Sequence, residues 1–180
     1  MKRCLRLYIL AFILVFTGLI GCASSVKHDD YWVAFADAEY DNYGYVDHNG
    51  KVIIPLGKYT MCFTDTFRTY AIVLKQNAGY IAIDRNEHRL YNVFPFDNGP
   101  DYASDGLFRI IENDKIGYAD EKTGNIVIKP QFDCAFPFEN GKAKVSDSCN
   151  KKLEGEHMMW MADSWYYIDK AGNPVDEPEK

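Results

Sequence analysis

The sequence predicts an all-β protein: antiparallel β-meander repeats forming a curved, propeller-like or solenoid sheet, preceded by an N-terminal signal helix. Three observations predict it. The chain holds 13 Tyr, 11 Phe and 3 Trp in 180 residues, and aromatic and β-branched residues favour strands. No stretch after residue 25 carries a long helical period. One phrase of strand, Asp-to-Gly turn and strand is written several times along the chain.

The first 21 residues stand apart as a signal peptide. Lys2, Arg3 and Arg6 make a basic start, and Leu7 to Ile20 an apolar core. A core of about 14 residues is short for a bilayer span of about 20 and fits a secretory signal. Its end, Leu19-Ile20-Gly21-Cys22, resembles the lipobox of bacterial lipoproteins. The resemblance implies cleavage before Cys22, a thioether-linked diacylglycerol on its sulfur, and acyl chains, palmitate among them. Several chains anchor stably where one does not. The other reading is an uncleaved N-terminal anchor helix. Ala23 follows Cys22 where an Asp would resemble an inner-membrane retention signal, so in a Gram-negative envelope the outer membrane is favoured.

Residues 22–30 read as a tether, 31–175 as the repeat domain and 176–180 as a polar tail. The whole chain carries −6, and losing three basic residues with the signal makes the remainder more acidic. With no Lys/Arg cluster it does not fit a nucleic-acid binder. Cys62, Cys134 and Cys149 remain after Cys4 and Cys22 are set aside. An oxidising compartment permits Cys134–Cys149, across one strand and its turn, and independent buried thiols are the alternative.

The repeat begins at Gly44-Tyr45, Gly79-Tyr80 and Gly117-Tyr118, with Tyr166-Tyr167 as a fourth, altered start. Each first strand runs into Asp47, Asp84, Asp120 or Asp169, and a Gly follows in units one, three and four. Asp accepts from its own backbone two residues on, and Gly supplies positive φ. The second strands are Val52–Pro55 and Ile126–Pro130, each expected to stop at its Pro. Third strands follow at Ala71–Leu74, Leu107–Ile111 and Ala143–Val145, with Tyr31–Ala36 as a lone third strand upstream. Val73 to Gly79 and Ile111 to Gly117 match in length, which predicts the same connecting turn. Unit two lacks the turn Gly and the apolar second strand. Residues 146–164 break the pattern as an insertion, and residues 173–180 read as frayed.

These residues resemble WG repeats, named for a Trp-Gly pair. That family's phrase is Trp-Gly, an aromatic, an apolar residue, Asp, a turn Gly, an apolar strand, Pro, an aromatic-Asp loop, then Gly and a further strand. Residues 114–145 carry it best, and the likeness spans residues 43–175. Tyr43, Ala78 and Ile116 stand where Trp would, and Trp165 precedes Tyr166 instead of Gly. The resemblance implies β-meander repeats with a binding or scaffolding role and no common catalytic site.

Chemistry-bearing motifs are sparse. There is no Gly-x-Ser-x-Gly, no His-Glu-x-x-His and no phosphate loop, so neither a catalytic residue nor a cofactor is assigned. The repeated Asp residues read as turn builders, since each turn offers too few oxygens for calcium. His157, Met158, Met159 and Met161 are soft ligands suited to Cu(I). Their other reading is a cover for apolar surface. Trp160, Trp165 and Tyr166 are the candidate binding surface, together with Phe94-Pro95-Phe96 and Phe136-Pro137-Phe138. Most of those Phe side chains are expected to plug the core. The expected function is a lipid-anchored module binding an envelope protein or glycan without catalysis. A metal-handling protein or enzyme using residues 146–164 is the alternative, and a passive envelope component the blandest reading.

Overall fold

The computed structural model describes residues 30–37, 39, 42–154 and 157–178. The expected signal peptide, Cys22 and the expected tether up to residue 29 lie outside them. The described residues form strands and contain no helix. In chain order these are β1 (Trp32–Asp37), β2 (Asn42–Asp47), β3 (Val52–Tyr59), β4 (Met61–Cys62), β5 (Thr66–Phe67), β6 (Tyr70–Lys75) and β7 (Gly79–Asp84). There follow β8 (Arg89–Val93), β9 (Pro95–Phe96), β10 (Gly99–Pro100), β11 (Leu107–Glu112), β12 (Lys115–Asp120) and β13 (Ile126–Phe132). The last are β14 (Cys134–Ala135), β15 (Lys142–Ser146), β16 (Cys149–Glu154), β17 (His157–Ala162), β18 (Tyr166–Asp169) and β19 (Pro174–Val175).

All pairings are antiparallel. The first sheet runs β3-β2-β1-β5, the second β13-β12-β11-β8-β7-β6-β4, and the third β14-β15-β18-β19, with β9–β10 and β16–β17 as separate hairpins.

The aspartate turns are the most regular feature. In unit one the Asp47 carboxylate accepts from the Asn49 and Lys51 N–H groups, both at 2.9 Å. Asp84 does the same for Asn86 and His88 at 2.8 Å, and Asp169 for Ala171 and Asn173 at 2.9 Å. Asp120 holds a turn one residue longer through Lys122 and Thr123. Unit two therefore has the full turn despite its missing Gly: Glu87 adopts φ 61° where Gly50 and Gly172 adopt 81° and 86°.

Those donors depress the carboxyl pKa values. The Lys51 and Asn49 N–H groups act at Asp47, the Thr123 hydroxyl and N–H at Asp120, and the Asn173 amide and N–H at Asp169. At Asp84 desolvation pushes the other way, and the N–H groups of His88 and Asn86 outweigh it. The stabilisation is complete above the unfolded carboxyl pKa of about 3.9 and is lost as pH falls through the lower folded values. The urea midpoint is therefore expected to drop steeply below about pH 4. The combined Asp47→Asn, Asp84→Asn and Asp169→Asn variant should show a shallower drop.

Measured from these Asp residues, the repeat register differs from the one the Gly-Tyr pairs suggest. Gly44 and Gly117 stand three residues before their Asp, but in unit two that position is Ile81, not Gly79. Cross-strand pairing agrees: Gly44 pairs Phe35, Gly117 pairs Ile110 and Ile81 pairs Val73. The connecting turns differ too. Lys75 pairs Gly79 around three residues, whereas Glu112 pairs Lys115 around two, Asn113 and Asp114, both at positive φ as a type I′ hairpin requires.

Gly44 and Gly117 have a common reason. Ile116 pairs Phe132 while Tyr118 pairs Ile128, so β13 carries a bulge over Gly117. Tyr43 pairs Tyr59 while Tyr45 pairs Ile54, so β3 does the same over Gly44. Pro130 and Pro55 sit inside these bulges, where a missing N–H costs nothing. The prolines thus do not end the strands, which continue to Phe132 and Tyr59. A Cβ on Gly44 would come within 2.5 Å of the Ile54 carbonyl oxygen.

Unit two has Ile81 at this place, and there Ile81 pairs Asn92 and Ala82 pairs Tyr91 in step, with the shift falling later, between Ala82 and Ile83. Its second strand exists as β8, with Tyr91 and Val93 buried. β8 also pairs with β11, which joins units two and three into one sheet.

Alternation places Val73 and Ile81 on one face of that sheet, with Asn92, Ile111, Arg109 and Tyr118 further along it. The first sheet packs on one end of this face, through Tyr45, Ile54 and Phe67 against Val73 and Ile81. The third packs on the other, through Ala143, Val145 and Ile168 against Leu107, Ile116 and Tyr118. The opposite face buries Ala82, Tyr91, Phe108 and Ile110.

The described part of residues 146–164 contains the hairpin β16–β17, paired from Cys149–Ala162 to Glu154–His157. The C-terminus is ordered further than its composition suggests: Pro174 and Val175 pair with Ile168 and Tyr167.

Candidate functional site

Between the two packed ends of the large sheet lies a groove of about 510 Å³, with Phe94, Phe96, Arg109, Phe136, Pro137 and Trp160 in its wall. Arg109 is the charged side chain beneath it. It is 3% exposed and Asp101 is 4% exposed. The guanidinium donates to both Asp101 oxygens, from Nε at 2.9 Å and from Nη2 at 2.5 Å, and its Nη1 reaches the Ala135 carbonyl at 3.2 Å. The Arg109 backbone N–H adds a bond to Asp101 at 2.8 Å. The Phe94 ring centroid lies 4.4 Å from the guanidinium carbon and that of Phe96 5.4 Å. Two opposite charges buried with their hydrogen bonds met are tolerable; either alone would not be.

The two Phe-Pro-Phe loops meet here. The Phe136 carbonyl accepts from the buried Tyr118 hydroxyl at 2.7 Å, and the Phe136 N–H donates to the Lys144 carbonyl at 2.9 Å. Its backbone is thus fixed while its ring is 42% exposed. Phe96 is 43% exposed and packs edge-on to Tyr102. Phe138 plugs the core as expected, edge-on to Tyr118 at 4.8 Å, and the half-buried Phe94 packs against the same cluster.

Trp160 comes from β17 and bridges the loops, 5.3 Å from Phe136 and 5.9 Å from Phe94, both edge-on. Its hairpin is held by a disulfide between Cys134 and Cys149, with Cα atoms 5.8 Å apart. Cys134 lies two residues before Phe136, so the bond pins the inserted hairpin beside the loop it covers. Cys62 is a free, buried thiol, and burial pushes its pKa up to about 11.

The residues singled out from sequence divide. Trp160 lines the groove, and Trp165 packs on Phe136 at 5.4 Å with the Lys144 ammonium 5.3 Å from its ring centre. Tyr166 faces elsewhere: it packs on Phe132, and its hydroxyl donates to the Asp147 carboxylate at 3.0 Å. Burial and that carboxylate push it up to about 12. Met159 and Met161 are 46% and 49% exposed, and alternation puts them on the hairpin face away from Trp160. The side chains of His157 and Met158 lie outside the described residues, among which no three His, Cys, Asp or Glu gather as a metal site. The Arg109–Asp101 pair escaped the sequence reading. Its signal was an Arg on the inward phase of the apolar strand Leu107-Phe108-Arg109-Ile110-Ile111.

Residues 43–65 and 116–147 match the family model of the WG containing repeat. They are the two units with the Gly-under-bulge arrangement and a Pro in the bulge, Gly44 with Pro55 and Gly117 with Pro130. Unit two, with Ile81 in that place, lies between the matched stretches. The groove is thus assembled from the loop of the second matched stretch, the loop of the unit before it, and the hairpin inserted after it. No curated protein and no solved structure gives a significant match to the chain.

Proposed function

We propose that the protein is a lipid-anchored component of a bacterial cell envelope that binds another macromolecule, a protein or a glycan, through this groove, without catalysis. The observation that carries the reading is the exposed yet fixed Phe136, with Trp160 locked beside it by a disulfide. Rigid aromatic faces already held in the binding geometry lose little entropy when a partner arrives. The anchor is Cys22, in the outer membrane in preference to the inner. An open, solenoid-like run of sheets suits the role better than a closed propeller, since β3, β13 and β19 each stand at a sheet edge. Metal handling is less well supported, because Cys149, the cysteine in the insertion, is held in the disulfide.

Two measurements test this. Mass spectrometry of the envelope-derived protein is expected to find a diacylglyceryl-modified Cys22 as the first residue, and an intact Met1 start would remove the anchor. Chemical crosslinking in isolated envelopes is expected to give high-mass adducts that Trp160→Ala abolishes. Adducts unchanged by Trp160→Ala would remove the groove from the reading.

A further inference from the structure

Phe136 and Pro137 form a ridge between two hollows. One is the aromatic groove. The other, of about 580 Å³, has Glu139, Lys142, Lys144, Tyr167 and Pro178 in its wall. The chain itself already enters this second hollow. Beyond β19 the Lys142 ammonium donates to the Asp176 carbonyl at 2.9 Å, and Pro178 stands in the same wall as Phe136 and Pro137. The segment that reaches it, Pro174-Val175-Asp176-Glu177-Pro178, is acidic and rich in proline.

The chemistry of the ridge favours such a segment from elsewhere. Its walls offer ring faces and donors. Trp160 brings an indole N–H to the groove wall, and Lys142 and Lys144 add two ammonium groups in the second hollow. A proline-rich strand is complementary: it presents solvated carbonyl acceptors, lacks N–H at each Pro, and is extended before it binds. A sugar brings as many hydroxyl donors as acceptors, and across the two walls only the Asp97 and Glu139 carboxylates are there to receive them.

We propose that the groove and the adjoining hollow bind an extended, acidic, proline-rich peptide segment of a partner protein across the Phe136–Pro137 ridge. This rests on the reading that the groove is a macromolecule-binding surface, and narrows it to one class.

The test is fluorescence anisotropy with the full-length chain in detergent and three labelled peptides of repeating Asp-Pro-Pro, Asp-Gly-Ser and Ser-Pro-Pro, beside a chitin oligomer followed by Trp fluorescence. The Asp-Pro-Pro peptide is expected to bind about tenfold or more tighter than Asp-Gly-Ser. Phe136→Ala and Trp160→Ala should each weaken it by about tenfold or more, with Trp160→Phe, which keeps the ring but not the N–H, in between. Lys142→Gln with Lys144→Gln should weaken Asp-Pro-Pro and leave Ser-Pro-Pro unchanged. Equal binding of the two acidic peptides, or no effect of Trp160→Phe and Phe136→Ala, overturns the proposal. Trp160-dependent binding of the oligosaccharide without peptide binding overturns it and leaves the broader reading standing. Binding of neither class overturns both for this groove.

Discussion

Asp101→Asn is expected to destabilise the protein by about 3 kcal/mol, because breaking a buried ion pair leaves one charge without its counter-charge. Arg109 and Asp101 are nearly inaccessible, and the carboxylate meets three donors of a single residue. The same Arg109 holds the Ala135 carbonyl, and the Asp101 N–H donates to the Phe94 carbonyl at 2.8 Å, so both walls of the groove hang on the pair. Urea unfolding checks the magnitude. Tryptophan fluorescence should show Trp160 more solvated before the main transition. The Asp101→Leu, Arg109→Met double variant is expected to recover most of the stability, since an apolar replacement of similar volume removes both desolvation costs. A loss under about 0.5 kcal/mol for Asp101→Asn would mean that the pair is only surface-like.

Gly117→Ala is expected to cost about 3 kcal/mol or more, at the upper end for overpacking by a single methyl. The new Cβ would press on the Ile128 carbonyl oxygen and lie within 2.5 Å of the Pro130 nitrogen. These are backbone atoms of a bulge, so no side-chain rotation relieves them. Gly99→Ala is the control: nothing lies within 4 Å of its would-be Cβ, and the change should stay within about 0.5 kcal/mol. Thermal melts of the two variants side by side decide the matter. Equal melts would mean that the glycine serves the chain only through its flexibility.

Much of the fold was legible in the sequence because turns are local. Asp and Gly at fixed offsets announce a hairpin, and all four aspartates build one. The register of unit two was misread because Gly79 serves a different purpose: its φ of 73° belongs to a three-residue turn, not to a close strand crossing. The prolines misled for a related reason. A bulge depends on which strand lies beneath, and no local window reports that. The Arg109–Asp101 pair and the meeting of two Phe-Pro loops around Trp160 are tertiary facts between residues distant in sequence. The composition of each loop hinted at a surface, but only the disulfide and the sheet order show that the three pieces share one groove.

The central claim is that this groove contacts a partner in the envelope. Site-specific photocrosslinking tests it most directly, with benzoylphenylalanine placed in living cells at Phe96, at Phe136 and at Val127, which is equally exposed but far along β13. Adducts at Phe96 and Phe136 but not at Val127 are the predicted result. Adducts of equal yield at all three positions, or at Val127 alone, would contradict it.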